Sequence, residues 1–264
     1  MTYFIFQHTK EMWRDNKQFG FLPGNSTFDA ILGVIDDFEA AIDRNDPIVA
    51  IFFDFAKAFD LVDHELLLKK ISEYLPEKIV SWIAAYLTDR KQRVYANGIE
   101  TEWKKVEAGV IQGSVLGPIL FLLFIYDINK FIPANVNIVK YADDILAYVT
   151  GKHSDNLPQE IAKAVEDWCT VNKMRLNDSK CKVIFQAPKA RRPRAKAGQP
   201  QIHLGAPYPA TPPYITLNDN NGVSKPLEVV ASYKYLGIQL TGELDWSLQC
   251  EKVLQANSKA PYLV

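Results

Sequence analysis

Asn137-Ile138-Val139-Lys140-Tyr141-Ala142-Asp143-Asp144-Ile145-Leu146-Ala147-Tyr148-Val149 is the stretch on which the fold turns. Two β-prone apolar runs flank adjacent carboxylates, which predicts a β-hairpin with Asp143 and Asp144 at its tip. Adjacent acids repel each other, and an apolar hairpin gains no stability from holding them. A hard divalent cation reverses that balance, because it takes carboxylate oxygens and neutralises the clustered charge. Turn chemistry alone offers the other reading, an acidic solvated turn, since Asp is a common turn residue. Strand side chains alternate between faces, so the two acids cannot serve one site equally unless the turn redirects one. Asp143 is the favoured ligand of the two.

A second carboxylate sits at the end of Ile48-Val49-Ala50-Ile51-Phe52-Phe53, an unbroken apolar run of the kind found in strands buried on both faces. It ends in Asp54. A charge at such a place is paired, metal-bound or at a strand mouth, because a lone buried charge is costly. Asp54 reads equally as a metal ligand or as a cap for a helix beginning near Ala56. Phe59 and Asp60 then precede an amphipathic helix over Leu61–Ile71. His64 is the only His close to these acids. It is expected to cap or pack at the helix start, because no second His stands at ligand spacing.

The chain has 264 residues, 48% of them hydrophobic, enough for one large domain or two smaller ones with ample core. Thirty basic and thirty-one acidic residues leave a formal net charge of −1, so any case for a nucleic-acid partner has to be local. Cys169, Cys181 and Cys250 match neither a disulfide framework nor a metal-ligand spacing, which fits a reduced setting. The apolar start, Met1 to Phe6, is followed too soon by Lys10, Glu11 and Arg14 to read as a signal peptide. Val115–Tyr126 is the longest apolar run, and it is too short to span a bilayer. It is expected as a buried helix. The expectation is a soluble intracellular protein without a membrane partner, in cytoplasm or nucleus.

Elsewhere the pattern predicts a helix capped near Asn25 or Ser26 and stopped by Asn45-Asp46-Pro47. Another opens at Pro76. Lys91–Val106, bent at Asn97-Gly98, carries the strongest hairpin signal in the chain. Gly109–Pro118 is a glycine-punctuated loop in which Gly113 and Gly117 would let backbone approach a ligand, with Pro118 in a first helical turn. A helix over 154–173, a turn at Asn177–Lys180 and a strand over 181–185 follow. Residues 187–213 carry Lys189, Arg191, Arg192, Arg194 and Lys196 amid Pro and Gly. They read as a flexible basic linker, with nucleic-acid contact the alternative. Residues 227–231 and 233–240 are strand-like, and a helical tail follows Trp246.

The order of these features resembles a reverse transcriptase of the non-LTR (LINE-like) retrotransposon family. Phe53-Asp54-Phe55-Ala56-Lys57-Ala58-Phe59-Asp60 with Val62-Asp63-His64 is similar to that family's first catalytic block. Gln112-Gly113-Ser114-Val115-Leu116-Gly117-Pro118 resembles its nucleotide-and-template loop, and Tyr141-Ala142-Asp143-Asp144 its catalytic hairpin. Asn172, Leu176-Asn177 and Lys180 resemble the next block, Tyr235-Leu236-Gly237 the primer-grip hairpin, and Gln18-Phe19-Gly20-Phe21 with Ser26-Thr27 the block ahead of the first Asp. Six blocks in family order run from about residue 18 to 246.

The resemblance implies an α+β fold, a right-hand polymerase palm with an antiparallel sheet backed by helices. It implies partial fingers and palm over 1–188, the basic insertion at 189–226, the primer-grip hairpin at 227–246 and the start of a thumb at 247–264. Fingers are expected to be truncated and the thumb largely absent. The implied activity is RNA-directed DNA polymerisation, adding dNTPs to a DNA primer on an RNA template. It implies two Mg²⁺ ions, with Mn²⁺ a substitute, held by Asp54, Asp143 and Asp144. Nucleotide contacts fall to the backbone of Phe55 and Ala56, to Phe59 under the sugar, to Gln112 and Gly113, and to Lys180 near the pyrophosphate. Tyr235, Leu236 and Gly237 would hold the primer. The alternative is an inactive retroelement remnant that at most binds nucleic acid.

Overall fold

The computed structural model describes residues 2–13, 17–189, 211–219 and 222–259. Two short helices, α1 (Thr2–His8) and α2 (Lys10–Trp13), lead to α3 (Thr27–Arg44). Ser26 starts α3 through a reciprocal capping box. Its hydroxyl accepts from the Asp29 N–H, and the Asp29 carboxylate accepts from the Ser26 N–H. Asn45, left-handed at φ 58°, closes the helix where the sequence predicts a stop.

β1 (Ile48–Phe53) is buried along its whole length, as expected. After it come α4 (His64–Ile71), α5 (Glu77–Leu87), and a hairpin of paired dipeptides: β2 (Lys91–Gln92), β3 (Tyr95–Ala96), β4 (Ile99–Glu100) and β5 (Lys104–Lys105). Asn97 and Gly98 turn that hairpin with φ of 51° and 81°, the conformation an Asn-Gly turn selects. α6 (Gly117–Ile125) is apolar all round and buried throughout its last seven residues. Val115, expected at the start of this helix, lies before it and is exposed. β6 (Asn137–Tyr141) and β7 (Asp144–Thr150) form the acidic hairpin, followed by α7 (Leu157–Val171) and β8 (Lys182–Gln186).

Beyond residue 210 lie β9 (Thr216–Asn218), β10 (Ser224–Pro226), β11 (Glu228–Val229), β12 (Ser232–Tyr235), β13 (Ile238–Thr241) and α8 (Ser247–Lys259). The β9–β10 ladder has no counterpart in the sequence reading. Ile215 and Leu217 are isolated apolar residues too few to show a period, yet both are buried in the core. Arg191, Arg192, Arg194 and Lys196 lie outside the described residues. Lys189 is described, and its backbone exchanges two hydrogen bonds with the Asn45 side chain.

The main sheet runs β11-β8-β1-β7-β6, with β1 in the centre and antiparallel to both neighbours. Alternation along β1 divides the core into two. Val49, Ile51 and Phe53 face α4–α7, while Ile48, Ala50 and Phe52 face α3 and the β12–β13 hairpin. Burying a side chain such as Phe52 or Phe53 contributes about 1.5–3 kcal/mol. Phe53 pairs with Ile145, so Asp54 emerges level with Asp144 at the same sheet end. Among the described residues no helix is long and apolar enough to cross a membrane.

Candidate active site

The hairpin turn is as short as a β-turn allows. Tyr141 pairs with Asp144, leaving only Ala142 and Asp143 between the strands. Ala142 adopts φ 58°, a left-handed conformation that costs a non-glycine residue roughly 1–2 kcal/mol. The residues 17–20 offset that strain. The Gln18 Oε1 accepts hydrogen bonds from the N–H groups of Gly20 and Ala142, both at 2.9 Å. Its Nε2 donates to the Ala142 carbonyl at 3.5 Å, and the segment adds a parallel bridge to Lys140. Gly20 is needed for contact, since a Cβ there would stand 2.5 Å from the Ala142 nitrogen. The resemblance places Gln18 and Gly20 in the block ahead of the first Asp but does not give this bracing role, because nothing local shows a side chain reaching across 124 positions.

Asp54 is fixed by its backbone. Its N–H donates to the Cys181 sulfur (3.5 Å), and its carbonyl accepts from the Asn177 N–H (2.8 Å). Burial pushes the Cys181 thiol up to about 11, so Cys181 serves as packing and not as a nucleophile. Residues 56–60 form turns and not a helix, which removes the helix-cap reading of Asp54. His64 begins α4 and donates a 2.8 Å hydrogen bond from Nε2 to the Gly109 carbonyl, while Asp63 caps the helix.

A cavity of about 640 Å³ opens over these elements, lined by Asp54, Phe55, Phe59, Gln112, Gly113, Asp143 and Lys180. Phe59 is held between two rings, stacked on Phe121 (4.6 Å) and edge-on to Phe21 (6.3 Å). Gln112 donates to the Asp60 carboxylate at 2.8 Å, which gives Asp60 a positioning role that the sequence reading lacks. Lys180 reaches within 3.5 Å of the Asp54 carboxylate.

One expected nucleotide contact, at Ala56, and one expected backbone approach to a ligand, at Gly117, meet partners within the chain instead. The Ala56 N–H is committed to the Arg175 carbonyl at 2.9 Å, because Phe55 bridges to Leu176, and so it is not free for a phosphate. Gly117 packs against its own loop. A Cβ there would meet the Ile111 carbonyl at 2.3 Å, so its bareness serves the loop's own packing. Gly113, at φ 77° with open space around its Cβ position, faces the cavity.

Asp144 is set apart, as alternation requires. It shares its strand face with Leu146 and Tyr148, on the side of the β12–β13 hairpin, and does not line the cavity. Tyr235 lies on this side, buried against Phe52 (5.6 Å), with its hydroxyl buried and without a hydrogen-bond partner. Leu236 and Gly237, with φ of 47° and 89°, form the turn of that hairpin. Tyr235, Leu236 and Gly237 therefore stand behind the acids and not in the cavity with them.

The carboxylates are held at a cost in charge. Desolvation raises the Asp143 pKa, and the Asp54 charge raises it further. Asp144 keeps open surface, yet lost hydration followed by the charges of Asp143 and Asp54 brings it up to about 6. The Lys180 ammonium opposes both shifts. Among the described residues no three His, Cys, Asp or Glu side chains converge as a finished metal cage. The donors nevertheless suit a hard cation that completes its shell with phosphate or water oxygens. Asp54 and Asp143 share one wall, and a cationic ammonium already sits against Asp54.

The raised pKa values fix a pH dependence. A carboxyl whose folded pKa is raised contributes stability below its unfolded value near 3.8, and that stability is lost as pH rises through about 6. A cation competes with the same protons. A divalent cation at about 100 times its Kd should therefore raise Tm by several degrees at pH 7.5. The gain should be smaller at pH 5, where protons compete for the raised carboxylates, as thermal unfolding at the two pH values will show.

The sequence matches the family described as "Reverse transcriptase (RNA-dependent DNA polymerase)" over residues 5–240. The chain belongs to the reverse transcriptase family. Among curated relatives it is 27% identical to the RNA-directed DNA polymerase from mobile element jockey of Drosophila melanogaster, over 90% of this chain and 24% of that protein. It is 30% identical to the probable RNA-directed DNA polymerase from transposon X-element of the same species, over 67% of this chain and 20% of that protein. The chain thus spans about a quarter or less of these relatives.

The reverse transcriptase fold agrees with solved structures. Apo telomerase from Candida tropicalis, truncated from its C-terminal domain, superposes with TM-score 0.57 at 13% identity, covering 92% of this chain and 44% of that one. Telomerase from Candida albicans, in complex with a fragment of telomeric RNA, gives 0.57 at 13% identity, covering 91% and 36%. The α+β architecture is that of a right-hand polymerase, as the sequence resemblance implies.

Proposed function

We propose that this chain is the polymerase core of a non-LTR retrotransposon reverse transcriptase, adding dNTPs to a DNA primer 3′-hydroxyl on an RNA template. One observation carries the reading. Asp54 and Asp143, from strands that the sheet register brings to one end, share a cavity with an aromatic wall, a glutamine and a lysine.

Asp54 and Asp143 would hold two divalent cations, with Asp144 contributing from behind the turn; Mg²⁺ is the proposed ion and Mn²⁺ a substitute. Such ions supply charge that activates the primer hydroxyl and steadies the leaving oxygens. Gln112, oriented by Asp60, would position nucleotide or template beside Gly113 and the exposed part of the Phe55–Phe59 turn. Lys180, freed from Asp54 when the carboxylate takes another partner, would turn its ammonium to the pyrophosphate. Tyr235, Leu236 and Gly237 would bear on the primer end from behind Asp144. In domain terms, we assign residues 1–188 to fingers and palm, 227–246 to the primer grip and 247–264 to the thumb.

Phe59 would select the sugar. Its ring cannot retreat, because Phe121 backs it and Phe21 closes its edge, so a ribose 2′-hydroxyl meets a fixed wall. Phe59→Val should lower discrimination between dNTP and rNTP by roughly 10–200-fold. Competing single-nucleotide additions on an RNA-templated primer check this, and unchanged discrimination would refute the assignment. Absence of any extension by the unaltered chain with Mg²⁺ and dNTPs would refute the polymerase reading itself.

A further inference from the structure

The hairpin from Arg90 to Val106 is not used by the site just described. All eight of its paired strand residues are exposed. The sheet register sets Lys91 directly opposite Lys105, and Gln92 opposite Lys104. Like charges facing each other across a ladder are destabilising, so this pairing is unfavourable without an anion between them. The register shifts by one residue between this ladder and the one in which Tyr95 faces Glu100, and Arg93 and Trp103 lie between the two. The Arg93 guanidinium lies 4.7 Å over the Trp103 ring and pairs with Glu100. Trp103 is nonetheless 57% exposed and Tyr95 69% exposed. Residues 90–106 carry five cations against Glu100 and Glu102, a positive patch on a chain of net charge −1.

The opposite face of the hairpin adjoins the catalytic cleft. Arg90 and Gln92 line a cavity of about 590 Å³ that shares Lys57 and Gln112 with the acid-lined cavity. The hairpin leads directly into the Gly109–Gln112 loop, which is tied to Val62 and Phe59 by backbone hydrogen bonds from Gly109 and Val110. The β12–β13 hairpin packs on the other face of the main sheet, against Phe52.

We propose that the surface bearing Lys91, Arg93, Tyr95, Trp103 and Lys105 is a track for single-stranded nucleic acid, namely the RNA template not yet copied. The choice of template as the strand rests on the polymerase reading. Open aromatic rings stack on unpaired bases, whose faces a duplex conceals. Lys91 and Lys105 neutralise phosphates, which also relieves their mutual repulsion. The hairpin that carries the track stands on the Gln112 side of the cleft and not on the side assigned to the primer end. An apolar protein partner would use Tyr95 and Trp103 but would gain nothing from the opposed lysines.

The test compares binding of the 264-residue chain to two RNA–DNA hybrids at fixed salt, by fluorescence anisotropy. One hybrid is blunt. The other carries a 5′ RNA overhang of about ten nucleotides, within the span of single-strand sites. The overhang should improve affinity by about fivefold or more per stacked base. Tyr95→Ala with Trp103→Ala should abolish that improvement and leave blunt-hybrid affinity unchanged. Lys91→Gln with Lys105→Gln should flatten the salt dependence by about one unit of slope or more. An overhang preference that survives the aromatic pair, an equal loss on both hybrids, or no preference in the unaltered chain would overturn the proposal. Primer extension is scored separately. A chain that prefers the overhang but never extends a primer refutes the polymerase reading alone, and one that extends without the preference refutes the track alone.

Discussion

Gly20→Ala should cut nucleotide addition by about 10²-fold while most of the fold stays in place. The added methyl would lie 2.5 Å from the Ala142 nitrogen and 2.9 Å from the Tyr141 carbonyl carbon. Both are backbone atoms, so no side chain can swing away, and either residues 18–20 or the turn must move. Overpacking of this kind costs about 1–3 kcal/mol. The chemical cost is larger, because a shift near 1 Å in a catalytic group can cost about 10²-fold, and the atoms displaced adjoin Asp143. Gln18→Ala approaches the same turn without a clash. It removes both acceptor bonds that offset the left-handed Ala142 and leaves the Ala142 N–H unpaired. Each variant should lower kcat for extension and leave KM for dNTP nearly unchanged, because Gln112, Phe59 and Lys180 come from other elements. Steady-state single-nucleotide addition, beside thermal unfolding, checks both. A parallel rise in KM would mean that the whole cleft had collapsed and not only the turn.

Much of this architecture was legible where one stretch carried its own signal. Ile48–Phe53 could only be a strand covered on both faces, and Asn97-Gly98 could only turn a hairpin tightly. Ser26, one of the two caps the pattern offered, begins α3. The acidic hairpin was legible in the same way, including the unequal placement of Asp143 and Asp144 that follows from strand alternation. Illegible features were those made by contact between distant segments. The Ala56 N–H is lost to Arg175 because residues 54–56 and 175–177 lie side by side, and neither segment indicates this in its composition. Gly117 looked like an opening to a ligand, whereas its neighbour is the Ile111 carbonyl six residues earlier. The β9–β10 ladder is only a few residues long and gains its order from docking Ile215 and Leu217 into the core. The brace of Gln18 and Gly20 belongs to the same class, since its partner is the hairpin tip.

The acids carry the largest expected effect. Asp143→Asn keeps the size and shape of the side chain and removes its charge. It takes away one of the two carboxylates in the cleft and also the negative charge that, after lost hydration, raises the Asp144 pKa. Without added metal the variant should therefore unfold no earlier than the unaltered chain at pH 7.5, because the uncompensated negative charge is smaller. Its extension rate should nonetheless fall by at least about 10²–10³-fold, the scale on which a single electrostatic group acts at a reacting centre. The two results together separate a lost ligand from a lost fold.

The most direct measurement is primer extension on an RNA template by the unaltered chain and by Asp143→Asn, with dNTPs and with Mg²⁺ added or withheld. A metal-bearing carboxylate cleft predicts extension by the unaltered chain only when Mg²⁺ is present, and none by the variant at equal stability. Extension by Asp143→Asn at the unaltered rate, or extension by the unaltered chain after complete metal removal, would contradict it.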